Sequence, residues 1–187
     1  MNASELRTFI RDHLTRDAFR LEVHQRYEVA SDGNDFGRYL AGAAAPTAER
    51  KQPWLDRPRS EHERGLRRRR VRVVTRPVSE YTRYECEWSY APNGTAGEDI
   101  RVLDLGERAL PDVGRWIQSD WWLLDDQHLV HMDCGLDGEF LGASVIADAA
   151  EAGSARDRLW DAAEPFPMWW ERHRELHRDH GSALRSV

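Results

Sequence analysis

The chain has 187 residues, 40% of them hydrophobic, enough for one compact domain with a sizeable core. Its 27 basic residues include a single lysine, Lys51, set between Arg50 and Gln52, so there is no Gly-Lys-Ser/Thr phosphate loop, and lysine-nucleophile chemistry would have to use that one residue. The formal charge of −6 is polarised: residues 1–95 hold 18 Lys/Arg against 14 Asp/Glu, whereas residues 96–187 hold 9 against 19.

Residues 4–28 read as a helix giving way to a strand. Leu6, Phe9, Ile10 and Leu14 follow a three-and-four spacing with Ser4 as cap. From Arg20 to Tyr27 the period drops to two, with Leu21, Val23 and Gln25 on one face and Arg20, Glu22 and His24 on the other. Residues 31–34 form a turn, and residues 35–41 a short helix closing at Gly42. Residues 43–58, with Pro46, Pro53, Pro58 and Trp54, read as a connector packed through its tryptophan, and residues 60–66 as a helical stretch capped by Ser60. The β-branched run 71–75 is the strongest strand and stops at Pro77. Tyr81, Tyr84, Glu85 and Trp88 stand at helical spacing within 79–90, behind the cap Ser79, and Pro92-Asn93-Gly94 breaks that helix. Residues 99–103, 120–126, 128–133 and 139–146 are strands, the last three an antiparallel meander turning at Asp126-Gln127 and Asp137-Gly138. A helix over 147–163, interruptions at Pro165 and Pro167 and a charged helix over 168–185 complete the chain. The order predicts an α/β (α+β) fold: a mixed, largely antiparallel sheet flanked by helices, one domain over 1–165 with the connector at 43–58, and a helical tail at 166–187.

Cys86 and Cys134 are too far apart for a metal knuckle and too few for a disulfide framework, and Cys86 stands between two glutamates, which raise a thiol pKa. No run of about 18 apolar residues and no leader pattern occurs, so a cytoplasmic protein without a membrane partner is expected. No cofactor and no metal is expected.

The strand Arg20-Leu21-Glu22 to Tyr27, Phe36 to Gly42, Pro53-Trp54-Leu55, Val71-Arg72-Val73-Val74 to Pro77, Tyr81 to Glu85, Gly97-Glu98-Asp99-Ile100, Trp122-Leu123-Leu124-Asp125-Asp126 and Gly138 to Gly142 together resemble an actinobacterial family of uncharacterised proteins, a domain of unknown function, over roughly residues 18–165. The resemblance brings no activity; it implies a regulatory setting, beside helix-turn-helix regulators. The second half also resembles degenerate phospholipase-D-like domains of bacterial regulators. The catalytic His and the Lys two residues on are impossible here, because Glu49 stands two before Lys51. That analogy implies at most a silent phosphate or nucleotide pocket.

Four constellations remain. Nine arginines (57, 59, 64, 67, 68, 69, 70, 72 and 76) against Glu61 and Glu63 make a stripe able to bind nucleic-acid phosphates, or to dock on the acidic second half. Arg20, Arg70, Arg72, Tyr81, Glu85, Glu98 and Asp99 could converge to grip an anionic or zwitterionic ligand, with Trp122, Asp125 and Asp126 contributing; a structural ion-pair network is the plain alternative. Asp125, Asp126, His128, His131 and Asp133 suggest a metal or acid/base set that strand alternation splits. His173, His177 and His180 would line one face of a continuous helix. The favoured reading is a non-catalytic regulatory or adaptor protein binding an anionic small molecule or a regulatory protein. The alternatives are a small-molecule enzyme using Glu22, Glu85, Glu98 or Asp99 as acid or base, and nucleic-acid binding through the stripe. A deep cavity uniting Glu22, Glu85 and Glu98 would favour the enzyme.

Overall fold

A computed structural model describes residues 1–28 and 33–178. The first helix, α1 (Ala3–His13), is capped by Asn2 rather than Ser4: the Asn2 side chain accepts from the backbone of Ser4 and Glu5, and Glu5 reaches back to the Asn2 backbone. Strand β1 (Asp17–Glu22) follows, then α2 (Asp35–Leu40), α3 (Ala48–Glu63) and β2 (Arg67–Val74). Next come α4 (Glu80–Glu85), a π-turn (Cys86–Tyr90), α5 (Ala91–Thr95) and β3 (Glu98–Asp104). The meander is β4 (Trp121–Leu124), β5 (His128–Cys134) and β6 (Phe140–Ile146), and the chain returns through α6 (Ala149–Ala162), β7 (Glu164–Pro165) and α7 (Phe166–Arg172). No described helix is long and apolar enough to cross a membrane.

The seven strands form one mixed sheet in the order β6-β5-β4-β1-β2-β3-β7. Only β1–β2 and β2–β3 pair in parallel; the meander and β7 are antiparallel. Parallel neighbours need crossovers, and here these are α2–α3 and α4–π–α5.

Strand alternation divides the sheet into two unlike faces. Phe19, Leu21, Val71, Val73, Leu103, Trp121, Leu123 and Leu129 form an apolar face packed on Ala152, Ala155 and Leu159 of α6. The opposite face is apolar only at its ends. Leu6, Ile10 and Leu14 of and beside α1 cover Ala18, Trp122, Leu124 and Val130, while Cys86, Tyr90, Phe166 and Trp169 cover Val74, Ile100 and Val102. Between these clusters the strands present Arg20, Glu22, Arg68, Arg70, Arg72 and Glu98, and the crossovers roof the gap.

Three sequence expectations need correction. The connector expected at 43–58 is largely helix, α3 running from its Thr47 cap through Pro53 and Pro58. The acceptors orphaned by those prolines belong to Glu49 and Trp54, both exposed, so water replaces the lost bonds. Trp54 is 52% exposed rather than packed inside. Pro92-Asn93-Gly94 does not break the helix: Pro92 sits in the first turn of α5, where its missing N–H is tolerated. The terminal helix ends at His173, whose φ of −105° and ψ of 50° leave helical space, so His173 and His177 do not share a helix face. His180 lies outside the described residues.

Candidate ligand-binding cavity

A cavity of about 1190 Å³ opens over the polar strip, walled by α1, α3, α4, the π-turn and the β5–β6 hairpin. The hairpin is drawn in where the Glu28 N–H donates to the Gly138 carbonyl at 3.0 Å. Only glycine suits that position, since its φ is +81° and a Cβ would run into the Arg26 carbonyl.

The floor is a chain of ion pairs across three strands. Glu22 Oε1 forms an ion pair with Arg20 Nη1 at 3.0 Å and accepts a hydrogen bond from Arg70 Nη1 at 2.8 Å. Arg70 Nε and Nη2 both donate to Glu98 Oε1, and Asn93 donates to Glu98 Oε2 at 2.9 Å. Beneath the cavity Arg72, wholly buried, donates through Nη2 to Thr82 Oγ1 at 3.0 Å, with Glu85 Oε2 3.2 Å away. The parallel register makes this possible: Arg20 lies opposite Arg70, and Glu22 opposite Arg72.

The network leaves donors over. Arg20 Nε and Arg72 Nε and Nη1 are buried with no hydrogen-bond partner. The Arg20 guanidinium lies 5.2 Å from the Trp122 ring centre and 5.9 Å from that of Tyr27, and Arg72 lies 5.2 Å from Tyr27. Aromatic faces compensate the charges in part but leave the N–H edges unsatisfied.

Tyr90 links two of the carboxylates, its hydroxyl oxygen lying 2.8 Å from Glu22 Oε2 and 3.3 Å from Glu85 Oε2. The π-turn brings this about: the Ala91 N–H bonds to the Cys86 carbonyl, five residues back, so Glu85 and Tyr90 face the same side. Burial works against charge on Glu22, but Arg20, Arg70, Arg72 and the Tyr90 hydrogen bond outweigh it and bring its pKa down to about 2. For Glu85 burial, opposed by Arg72 and reinforced by the Glu22 charge, prevails and pushes the pKa up to about 7. Burial also keeps Tyr90 and Cys86 neutral well above their usual ranges and lifts Cys134 to about 11.

Of the residues singled out in the sequence, Arg20, Glu22, Arg70, Tyr81, Glu85 and Glu98 line this cavity, with Arg72 beneath it and Trp122 flanking Arg20. Three do not join them. Asp99 pairs in register with Arg69, one step out of phase with Glu98, and is exposed. Asp125 is a structural cap: its carboxylate accepts from the N–H groups of Thr15, Arg16 and Asp17 and from the Thr15 hydroxyl at 2.6–2.8 Å. Those hydrogen bonds overcome burial and hold its pKa below the usual range. Asp125→Ala is therefore expected to cost about 2 kcal/mol, read as a lower urea midpoint at unchanged slope. Asp126 pairs with Arg156, away from the cavity.

Other predicted groupings dissolve. Arg57 and Arg68 pair with Glu61, Arg59 with Asp56, Arg69 with Asp17 and Arg76 with Asp104, so the arginine stripe is divided between α3 and the two faces of β2. His131 pairs with Asp133, while His128 meets His13 edge to face. His173 is buried against Trp169 and lies near Glu107 and Glu175. Asp104, Glu107 and His173 bring ligand atoms within 4.8 Å of one another, but Arg76 and Arg172 already engage both carboxylates. Sequence reasoning missed Tyr90, Tyr27, Asn93 and Asp120. Buried Asp120 accepts from Tyr27 Oη at 2.6 Å and from the Val23 N–H.

Comparison with curated proteins gives no match. Residues 4–171 match the profile of a family described as a domain of unknown function (DUF6879), and the chain belongs to that family.

Proposed function

We propose that the protein binds a small anionic molecule in this cavity and performs carboxylate acid/base chemistry on it, Arg20 receiving the anion and Glu85 exchanging the proton. The observation that carries this reading is the meeting of Glu22, Glu85 and Glu98 in one cavity, the arrangement expected of the enzyme rather than of a non-catalytic adaptor. Two of these carboxylates have pKa values driven apart by their surroundings, which is how a shared site separates a fixed counter-ion from a proton carrier. Glu22 stays ionised and anchors Arg20 and Arg70; Glu85 changes charge near neutral pH, where a proton carrier is most effective.

A regulatory ligand-binding protein, in the actinobacterial setting that the family resemblance implies, is the second reading. It is favoured by the complete pairing of Arg70 and by two thiols that burial leaves unreactive. Both free cysteines fit a cytoplasmic location. Nucleic-acid binding is not the reading proposed, because seven of the nine stripe arginines pair with carboxylates and leave fewer free charges for phosphates.

A calorimetric screen of small carboxylates and phosphates is expected to yield a ligand whose affinity falls about tenfold or more in Arg20→Met, equivalent to roughly 1.4 kcal/mol. Turnover of that ligand, lost in Glu85→Gln while binding persists, would support the enzyme; binding without turnover would support the regulator. A screen in which every ligand is indifferent to Arg20→Met would overturn both.

A further inference from the structure

Helix α3 turns one face to the cavity: Lys51, Trp54, Leu55 and Pro58 stand at i, i+3, i+4 and i+7, and all four line it. Leu55 is buried, but Trp54 is 52% exposed. The other aromatic side chains of the cavity are already engaged, Tyr27 with Tyr81, Tyr84 with Trp88, Tyr90 with Phe166, and Phe140 with the cluster under α1. Among the described residues Trp54 meets no other ring and no guanidinium, so it offers the cavity an open indole face.

The charged side chains around that face fall into three sets. On the hairpin side Glu28 and Glu139 are exposed; Glu28 lies 3.9 Å from Arg26, and Glu139 has no ion pair among the described residues. On the side of α1 and α3, Arg7 is exposed and likewise unpaired among the described residues. Lys51, Arg57 and Arg68 share their carboxylates: Asp35 serves Arg38, Arg50 and Lys51, and Glu61 serves Arg57 and Arg68, so five cations meet two carboxylates. Glu49, Asp56 and Glu63 of α3 stay outside the lining. On the floor Arg20 and Arg70 are held by Glu22 and Glu98, and Glu85 is largely neutral below its raised pKa of about 7. Lys51 one turn before Trp54 and Arg57 one turn after it put positive charge on both sides of the open ring.

We infer that the anion taken up by this cavity carries a planar aromatic ring, which stacks on Trp54 between Lys51 and Arg57. This deepens, and rests on, the binding reading above. A flat ring covers an indole face closely, and stacking of this kind changes affinity by about fivefold or more. A cationic ring would be drawn by the indole face, but Lys51, Arg57 and Arg7 oppose it. An aliphatic anion of equal charge keeps the electrostatic attraction and forgoes the stacking. Glu28 and Glu139 repel the anionic group, while Arg7, Lys51, Arg57 and Arg20, whose side chain keeps 20% exposure, attract it.

The probes are benzoate, cyclohexanecarboxylate and benzylammonium, added to full-length protein carrying 5-fluorotryptophan at about pH 6.5, where both acids are ionised. Cyclohexanecarboxylate keeps the charge without the flat ring; benzylammonium keeps the ring and inverts the charge. The Trp54 ¹⁹F resonance, identified by its loss in Trp54→Leu, is expected to move with benzoate. Benzoate should bind at least about fivefold more tightly than cyclohexanecarboxylate, a preference that shrinks to less than about twofold in Trp54→Leu and is largely kept in Trp54→Phe. Arg20→Met should weaken both acids alike and leave the preference. If both acids bind through Arg20 without a preference, or the Trp54 resonance stays still as they bind, the binding reading stands and the ring subsite is overturned. Tighter binding of benzylammonium than of benzoate would overturn it as well. If neither acid binds, the ring subsite falls, and the calorimetric screen with Arg20→Met decides the binding reading separately.

Discussion

At about pH 8, Glu85→Gln is expected to be more stable than the wild-type protein by about 3 kcal/mol. The Glu85 pKa rises from an ordinary 4.5 to about 7 on folding, because burial, opposed by Arg72 and reinforced by Glu22, disfavours its charge. A carboxyl whose folded pKa is raised contributes its full share of stability below the unfolded value and loses it as pH climbs toward the folded one. The loss therefore runs from about pH 4.5 to about pH 7, at roughly 1.4 kcal/mol per unit. Glutamine keeps the shape and neutrality of the protonated side chain beside Arg72 and Tyr90 and cannot ionise. Urea denaturation should give the two proteins similar stabilities near pH 4.5 and a gap that widens until about pH 7. Equal stabilities at pH 8 would mean that the buried carboxylate forms without cost.

Glu22→Gln should act in the opposite sense, costing about 3–5 kcal/mol at neutral pH. The Glu22 pKa falls from 4.5 to about 2 on folding: burial resists, but Arg20, Arg70, Arg72 and the Tyr90 hydroxyl favour the charge more. A depressed pKa contributes stability above the unfolded value and loses it as pH falls, here from about 4.5 to about 2. Removing the charge also leaves Arg20 without its carboxylate and Arg70 with Glu98 alone, both largely buried. Chemical denaturation at neutral pH reads the cost directly, and a loss below about 1 kcal/mol would show that Glu98 and the aromatic faces suffice. The two windows meet near pH 4.5, so the wild-type contribution of this pair peaks there, falling on the acid side through Glu22 and on the alkaline side through Glu85.

The polar floor was readable from the sequence because alternation in a strand needs no tertiary information. Arg20 with Glu22, and Arg70 with Arg72, had to share faces once β1 and β2 were recognised. Glu98 followed from its place at the start of β3, yet the same rule separates it from Asp99, so the two could not both face the site. Asp125 and Asp126 resembled chemistry because carboxylates cluster in sites, but at φ of 53° and 61° they form the β4–β5 turn, where short polar side chains tolerate left-handed backbone. The arginine stripe was a fact of order along the chain; in space Asp17, Asp56, Glu61 and Asp104, two of them far off in sequence, pair with five of its members. The prolines of α3 concealed a helix because propensity cannot see which carbonyls face water.

Tyr90 was hidden for a different reason. A helix has a phase as well as an axis, and residues five apart on an ordinary α-helix point about 140° from one another. The wide turn at Cys86–Tyr90 resets that phase by about one residue, so everything after it, α5 and the entry into β3, is clocked differently from α4 before it. The connection therefore depends on how the turn is wound and not on spacing alone. Five residues wound as an ordinary α-turn would carry the phenol about 140° from Glu85 and disconnect the two glutamates. Deleting one residue would instead leave the pair four apart, about 40° from one another, and throw the change onto the register of α5 and β3.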